Sequence, residues 1–148
     1  SELDPENADT FEANRMAFEE RMLDSIGDWE ERLAGWQGQR IVCYHQQWEY
    51  LLGWLGIDIL DYIENKPGIP PSPRHIGQLK ESMAREKIPM VLISNFFEPE
   101  HARRVADASD AKLVILPASV DGEDGLSDPF LFFEHLVTEL EAALPAGS

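Results

Sequence analysis

Four histidines, a single cysteine and 28 carboxylates are the groups in this sequence that could do chemistry. His45 has the best setting. It directly follows the β-rich run Arg40–Tyr44 and opens the segment His45-Gln46-Gln47-Trp48-Glu49-Tyr50. A neutral imidazole at the end of a strand suits two tasks, metal ligation and general acid–base transfer, and both need partners. The H-x-x-W-x-Y spacing sets aromatics about one helical turn beyond it, where they could wall off a site. His75, His101 and His135 fall on three separate helical patterns, with no H-x-x-x-H or H-E-x-x-H pair among them, and read as helix-surface residues. Asp121, Glu123 and Asp124 resemble part of a calcium loop but lack its alternating ligand order and closing bidentate carboxylate, so a solvated turn is expected. Cys43 lies within a strand pattern and reads as a buried, inert thiol.

Enzyme templates fail in turn. No G-x-G-x-x-G or G-x-x-x-x-G-K-[ST] follows a strand, which removes the usual dinucleotide and phosphate cradles. No G-x-S-x-G elbow offers a hydrolase nucleophile its seat. With one cysteine there is neither an intrachain disulfide nor a multi-cysteine zinc site. The net charge of −16 repels phosphate backbones and anionic membrane surfaces, and no run approaches the roughly 18 apolar residues of a membrane span. No nucleic acid and no membrane insertion are therefore expected. A negative field does favour cations, although it steers them without making a site.

The elements that must position His45 are legible from periodicity. Asp4 as cap, Pro5 at the first position and acidic Glu6 and Asp9 open a long helix. Its stripe is Phe11, Phe18, Met22, Ile26, Trp29 and Leu33, and Gly35 is expected to stop it. About 28 residues at 1.5 Å each give roughly 42 Å. Thereafter strands and helices alternate: strand Arg40–Tyr44, helix Gln46–Leu55, strand Ile57–Ile63, a proline-rich loop Asn65–Ser72, and a helix from Pro73 to about Glu86 with Ser72 as cap. Strand Met90–Ser94, helix Pro99–Ala108, strand Leu113–Leu116, an acidic loop Pro117–Ser127 and helix Pro129–Leu144 capped by Asp128 complete the chain. Such alternation implies an α/β fold with a parallel sheet covered on both faces. Its ligand edge is the carboxyl ends of the strands, at His45, Glu64, Asn95 and Pro117.

In order along the chain, five segments resemble the zinc- and manganese-binding solute receptors of bacterial ABC importers. Asp4-Pro5-Glu6-Asn7-Ala8 with Phe11-Glu12-Ala13-Asn14 is similar to that family's opening of the helix bridging two lobes. Arg40–Tyr50 resembles its strand with a metal-ligand histidine and following aromatics. Gly56-Ile57 and Lys66–Ser72 (KPGIPPS), Val105-Ala106 with Ala111–Val114, and Leu116–Val120 (LPASV) match later motifs.

The resemblance implies a four-stranded parallel sheet of order 2-1-3-4 flanked by helices, with residues 1–35 as the inter-lobe helix and 36–148 as the C-terminal lobe. It implies that His45 is a ligand for zinc, or alternatively manganese, delivered to an ABC permease in the periplasm or another extracytoplasmic space. Asn95 and Glu49 are outer candidates, as weak ligands or as groups that orient one. The family's N-terminal lobe, which supplies two further histidines, has no counterpart in these residues. Pro117 and Asn95 stand where relatives place carboxylates. Zinc normally takes three or more protein ligands, so the lobe alone should bind weakly, and the first helix, lacking its lobe, should pair with a second copy. Two alternatives are a metal-free docking lobe and a small α/β enzyme using His45 as general base.

Overall fold

The computed structural model describes residues 4–66 and 68–145; Pro67 of the proline-rich loop and the outermost three residues at each end lie outside the described residues. The order of elements is α1 (Ala8–Arg32), β1 (Arg40–Cys43), α2 (Glu49–Trp54), β2 (Asp58–Tyr62), α3 (Pro73–Glu86), β3 (Met90–Ser94), α4 (Glu100–Asp107), β4 (Lys112–Leu116) and α5 (Pro129–Ala142). The four strands form one all-parallel sheet ordered β2-β1-β3-β4, as expected.

Alternating strand side chains feed two cores. On one face Ile41, Cys43, Leu92 and Leu116 pack with Trp36, Leu52, Leu136 and Leu140, under α1, α2 and α5. On the other, Val42, Tyr44, Val91 and Ile93 pack with Leu79, Met83, Ala102 and Val105 of α3 and α4. Every residue of β3 is buried, as a central parallel strand covered on both faces requires.

Caps set several boundaries. Ser72 accepts from the His75 N–H at the start of α3, and Asp128 accepts from the N–H groups of Phe130 and Leu131 at the start of α5. The expected Asp4 cap does not form. Its carboxylate instead accepts from the Asn7 main-chain N–H and side-chain amide, closing a preceding turn, and α1 begins at Ala8 behind Asn7. Nor does Gly35 stop α1. The helix ends at Arg32 and Ala34–Trp36 form a 3₁₀ turn, because Trp36 is swung into the core, fully buried, with its indole N–H donating to the Leu140 carbonyl at 2.9 Å. α2 starts at Glu49 rather than Gln46, since the chain first crosses the edge of the sheet and seats Trp48 in the core.

The two ends of α1 behave differently. Its C-terminal end is locked to α5: Trp29 stacks on Phe133 at 5.4 Å and donates to Glu134 at 3.0 Å. Arg32 reaches Glu134 at 2.6 Å and Glu141 at 2.9 Å, which holds the Glu134 carboxyl below its ordinary range. Towards the other end, Phe11 and Phe18 are half exposed. Phe18 still meets the ring of Phe130 at 5.3 Å, and Met22 packs against the core.

Candidate metal centre

The parallel ladder continues one residue past the end of β1 and two past the end of β2. Tyr44 N–H donates to the Leu92 carbonyl at 2.8 Å, Ile63 N–H to the Cys43 carbonyl at 2.9 Å, and Glu64 N–H to the Tyr44 carbonyl at 2.9 Å. These bonds fix the backbone at the two positions from which His45 and Glu64 project. His45 Nε2 lies 3.4 Å from a Glu64 carboxylate oxygen, and the two side chains are only 10% and 12% exposed. Both line a cavity of about 620 Å³ whose wall includes Gln46, Asn65, Phe96 and Phe97.

The aromatic wall is built from other residues than the H-x-x-W-x-Y pattern suggests. Trp48 is buried in the core on the α2 side, and Tyr50 is 96% exposed. The rings beside His45 are Phe97, at 4.3 Å between centroids, and Tyr44, edge-on at 5.0 Å; Phe96 stands against Phe97 at 4.2 Å. The Tyr44 phenol is pushed up by burial and, less strongly, by the charge and hydrogen bond of Glu64. It therefore stays protonated, so it can donate to that carboxylate.

Glu49 lies on α2, where it accepts from the Tyr62 hydroxyl at 2.7 Å. That contact, after burial, pushes the Tyr62 phenol upward. Asn95 follows β3, but its amide donates to the Gly122 carbonyl at 2.8 Å. This bond ties the acidic loop to the sheet edge, and Asn95 is not among the residues lining the cavity. In that loop Asp121 N–H donates to the Leu126 carbonyl at 2.8 Å and Gly122 N–H to the Ser119 carbonyl at 2.9 Å, a self-bonded turn. His75 is partly buried rather than on the surface, with Nε2 against the Tyr62 carbonyl at 2.8 Å. A carbonyl only accepts, so that ring nitrogen carries its proton. Cys43 is buried, its thiol pushed up to about 12 by desolvation first and the charge of Glu49 second. Among the described residues no group of three or more His, Cys, Asp and Glu side chains is placed to hold a metal.

Glu64 is the site residue that the motifs did not single out. Its signal was positional: it lies two residues beyond Tyr62, the carboxyl end of the strand beside β1.

An imidazole and a carboxylate thus stand together, nearly enclosed, at the carboxyl-end edge of an acidic α/β fold. The model of the family described as zinc-uptake complex component A, periplasmic, matches residues 1–143. This chain belongs to that family. Among relatives of the zinc-uptake component, the high-affinity zinc uptake system protein ZnuA of Yersinia pestis is 23% identical over 111 residues, covering 75% of this chain and 35% of that protein. The Mn-bound periplasmic metal binding protein from Candidatus Liberibacter asiaticus matches in structure with a TM-score of 0.74 at 22% identity, over 97% of this chain and 55% of that one. The SBP FpvC from Pseudomonas aeruginosa in complex with Mn2+ matches with a TM-score of 0.72 at 21% identity, over 97% and 54%. The chain thus spans about half the length of these solved structures and about a third of the Yersinia protein.

Proposed function

We propose that this chain is the C-terminal lobe, with its inter-lobe helix, of the solute-binding component of an ABC uptake system for zinc, or alternatively manganese. Residues 1–35 form the helix and 36–148 the lobe. His45 presents its imidazole to the cargo ion, and the ion is passed to a permease without any bond being broken. The observation that carries this is the place of His45, at the carboxyl-end edge, beside a carboxylate and at the wall of a cavity. Family membership supports metal uptake and an extracytoplasmic, periplasmic location. No helix among the described residues is long and apolar enough to cross a membrane. Asn95 and Glu49 have outer roles, holding a loop and a strand neighbour rather than the ion.

With few ligands on one lobe, affinity for zinc falls well short of an uptake receptor, which uses three or more protein ligands. Further ligands would come from outside this lobe. Calorimetric titration of the chain with zinc chloride should show weak, saturable binding that His45→Ala reduces to background. Equal binding by the two proteins would sink the assignment, as would tight stoichiometric binding by the wild-type chain. Exposed Tyr50 and half-exposed Trp54 on α2 favour a second reading, a metal-free lobe that only docks. That reading gains if no zinc binding is seen at all.

A further inference from the structure

The His45–Glu64 distance is informative because two different interactions would set it differently. A charge-assisted hydrogen bond between an imidazolium and a carboxylate closes to about 2.7–2.9 Å. Two ligands sharing one tetrahedral zinc, at about 2.0–2.1 Å each, stand about 3.3–3.4 Å apart. An octahedral ion with the same bond lengths would bring neighbouring ligands to about 2.9 Å. The observed separation of 3.4 Å is long for the hydrogen bond and equal to the tetrahedral edge. Both side chains are almost enclosed, their backbones are pinned by the extended ladder, and both border the cavity.

We infer that Glu64 is a direct ligand, forming with His45 one edge of a tetrahedral site for a zinc-like divalent cation. The inference rests on the metal-centre reading of His45 and adds a second ligand to it. At the ends of β3 and β4 stand Asn95, occupied with Gly122, and Pro117, which has no side-chain donor. An acidic ligand offered from β2 supplies the negative charge that this half of the edge lacks. Two tetrahedral positions stay open for ligands from outside this lobe.

The test is a titration of the chain with zinc chloride, followed by NMR of the Glu64 side-chain 13Cδ and the His45 ring nitrogens, with calorimetry alongside. Both sets of resonances should move together with the same binding curve. Glu64→Gln should weaken binding about tenfold to a hundredfold, and Glu64→His should recover it to within about tenfold of wild type. The loss in Glu64→Gln does not decide alone, because a carboxylate that only orients an imidazole costs a similar factor. A Glu64 13Cδ that stays put while the His45 nitrogens shift overturns Glu64 as a ligand and leaves the function of His45 intact. His45 nitrogens that do not respond to zinc overturn the proposed function together with this inference. Should either variant fail to fold, the resonances of the wild-type chain still decide.

Discussion

At the ends of β1 and β2 the chain releases His45 and Glu64, two enclosed side chains facing one cavity. At the ends of β3 and β4 it releases Asn95, bonded to Gly122, and Pro117. The backbone device is the same in both halves, since Glu64 N–H donates to Tyr44 and Asn95 N–H to Leu116, each at 2.9 Å. A parallel sheet thus makes four equivalent edge positions, and side chains alone decide which of them bind and which brace. In this molecule one half sets an imidazole beside a carboxylate, the pair proposed to meet the cation, and the other secures a loop.

Changes in the bracing half should therefore cost stability and leave zinc alone. The largest effect is expected at Gly122, where an added Cβ would stand 2.8 Å from the Ser119 carbonyl oxygen, which is backbone and cannot swing aside. Gly122→Ala should destabilise the fold by about 1–3 kcal/mol, the usual cost of forcing atoms into a packed site. In a domain of this size that is a drop of several degrees in thermal midpoint. Zinc affinity in the Gly122→Ala protein should stay within about twofold of wild type. A large loss of zinc binding in a still-folded protein would end the division between halves.

Asn95→Ala is the milder version. It removes one exposed hydrogen bond to the loop and should cost about 0.5–1.5 kcal/mol, read from the same melting curves. Should Asn95→Ala weaken zinc binding as His45→Ala does, Asn95 would belong with the ligands and not with the brace.

The smallest effect concerns a surface belonging to neither half. Phe11, Met16 and Phe18 are about half exposed on α1, at 48%, 57% and 50%, and fully covering such a side chain is worth roughly 1.5–3 kcal/mol. We propose that a second copy covers them by two-fold pairing of α1. The net charge of −16 opposes pairing, and salt screens it, so sedimentation should show association strengthening as salt rises. A monomer at every salt and protein concentration would discard the pairing and leave the edge comparison untouched.

Much of the fold was legible because its signals are local. Pro73 behind Ser72 and Pro129 behind Asp128 mark the helix starts that the structure shows, and Met90–Ser94 is the buried strand its unbroken apolar run implies. Failures occurred where a distant partner outweighed a local signal. Gly35 is a reasonable helix stop, but the cost of leaving Trp36 out of the core moved the boundary. Trp48 and Tyr50 have the spacing of a site wall, yet burial drew Trp48 to the opposite face of the sheet and left Tyr50 in water.

The sequence by itself determined the order of strands and helices and the position of His45 at the carboxyl-end edge, because strand polarity follows from chain direction once the crossovers are right-handed. What only the tertiary structure decided is the company His45 keeps. Glu64 and Phe97 come from two other stretches of chain, about 20 and about 50 residues away. They meet because β1 pairs with β2 on one side and β3 on the other in one particular register. A shift of one residue would turn each side chain to the other face, so the register of the folded sheet, and not any motif, sets the 3.4 Å between imidazole and carboxylate.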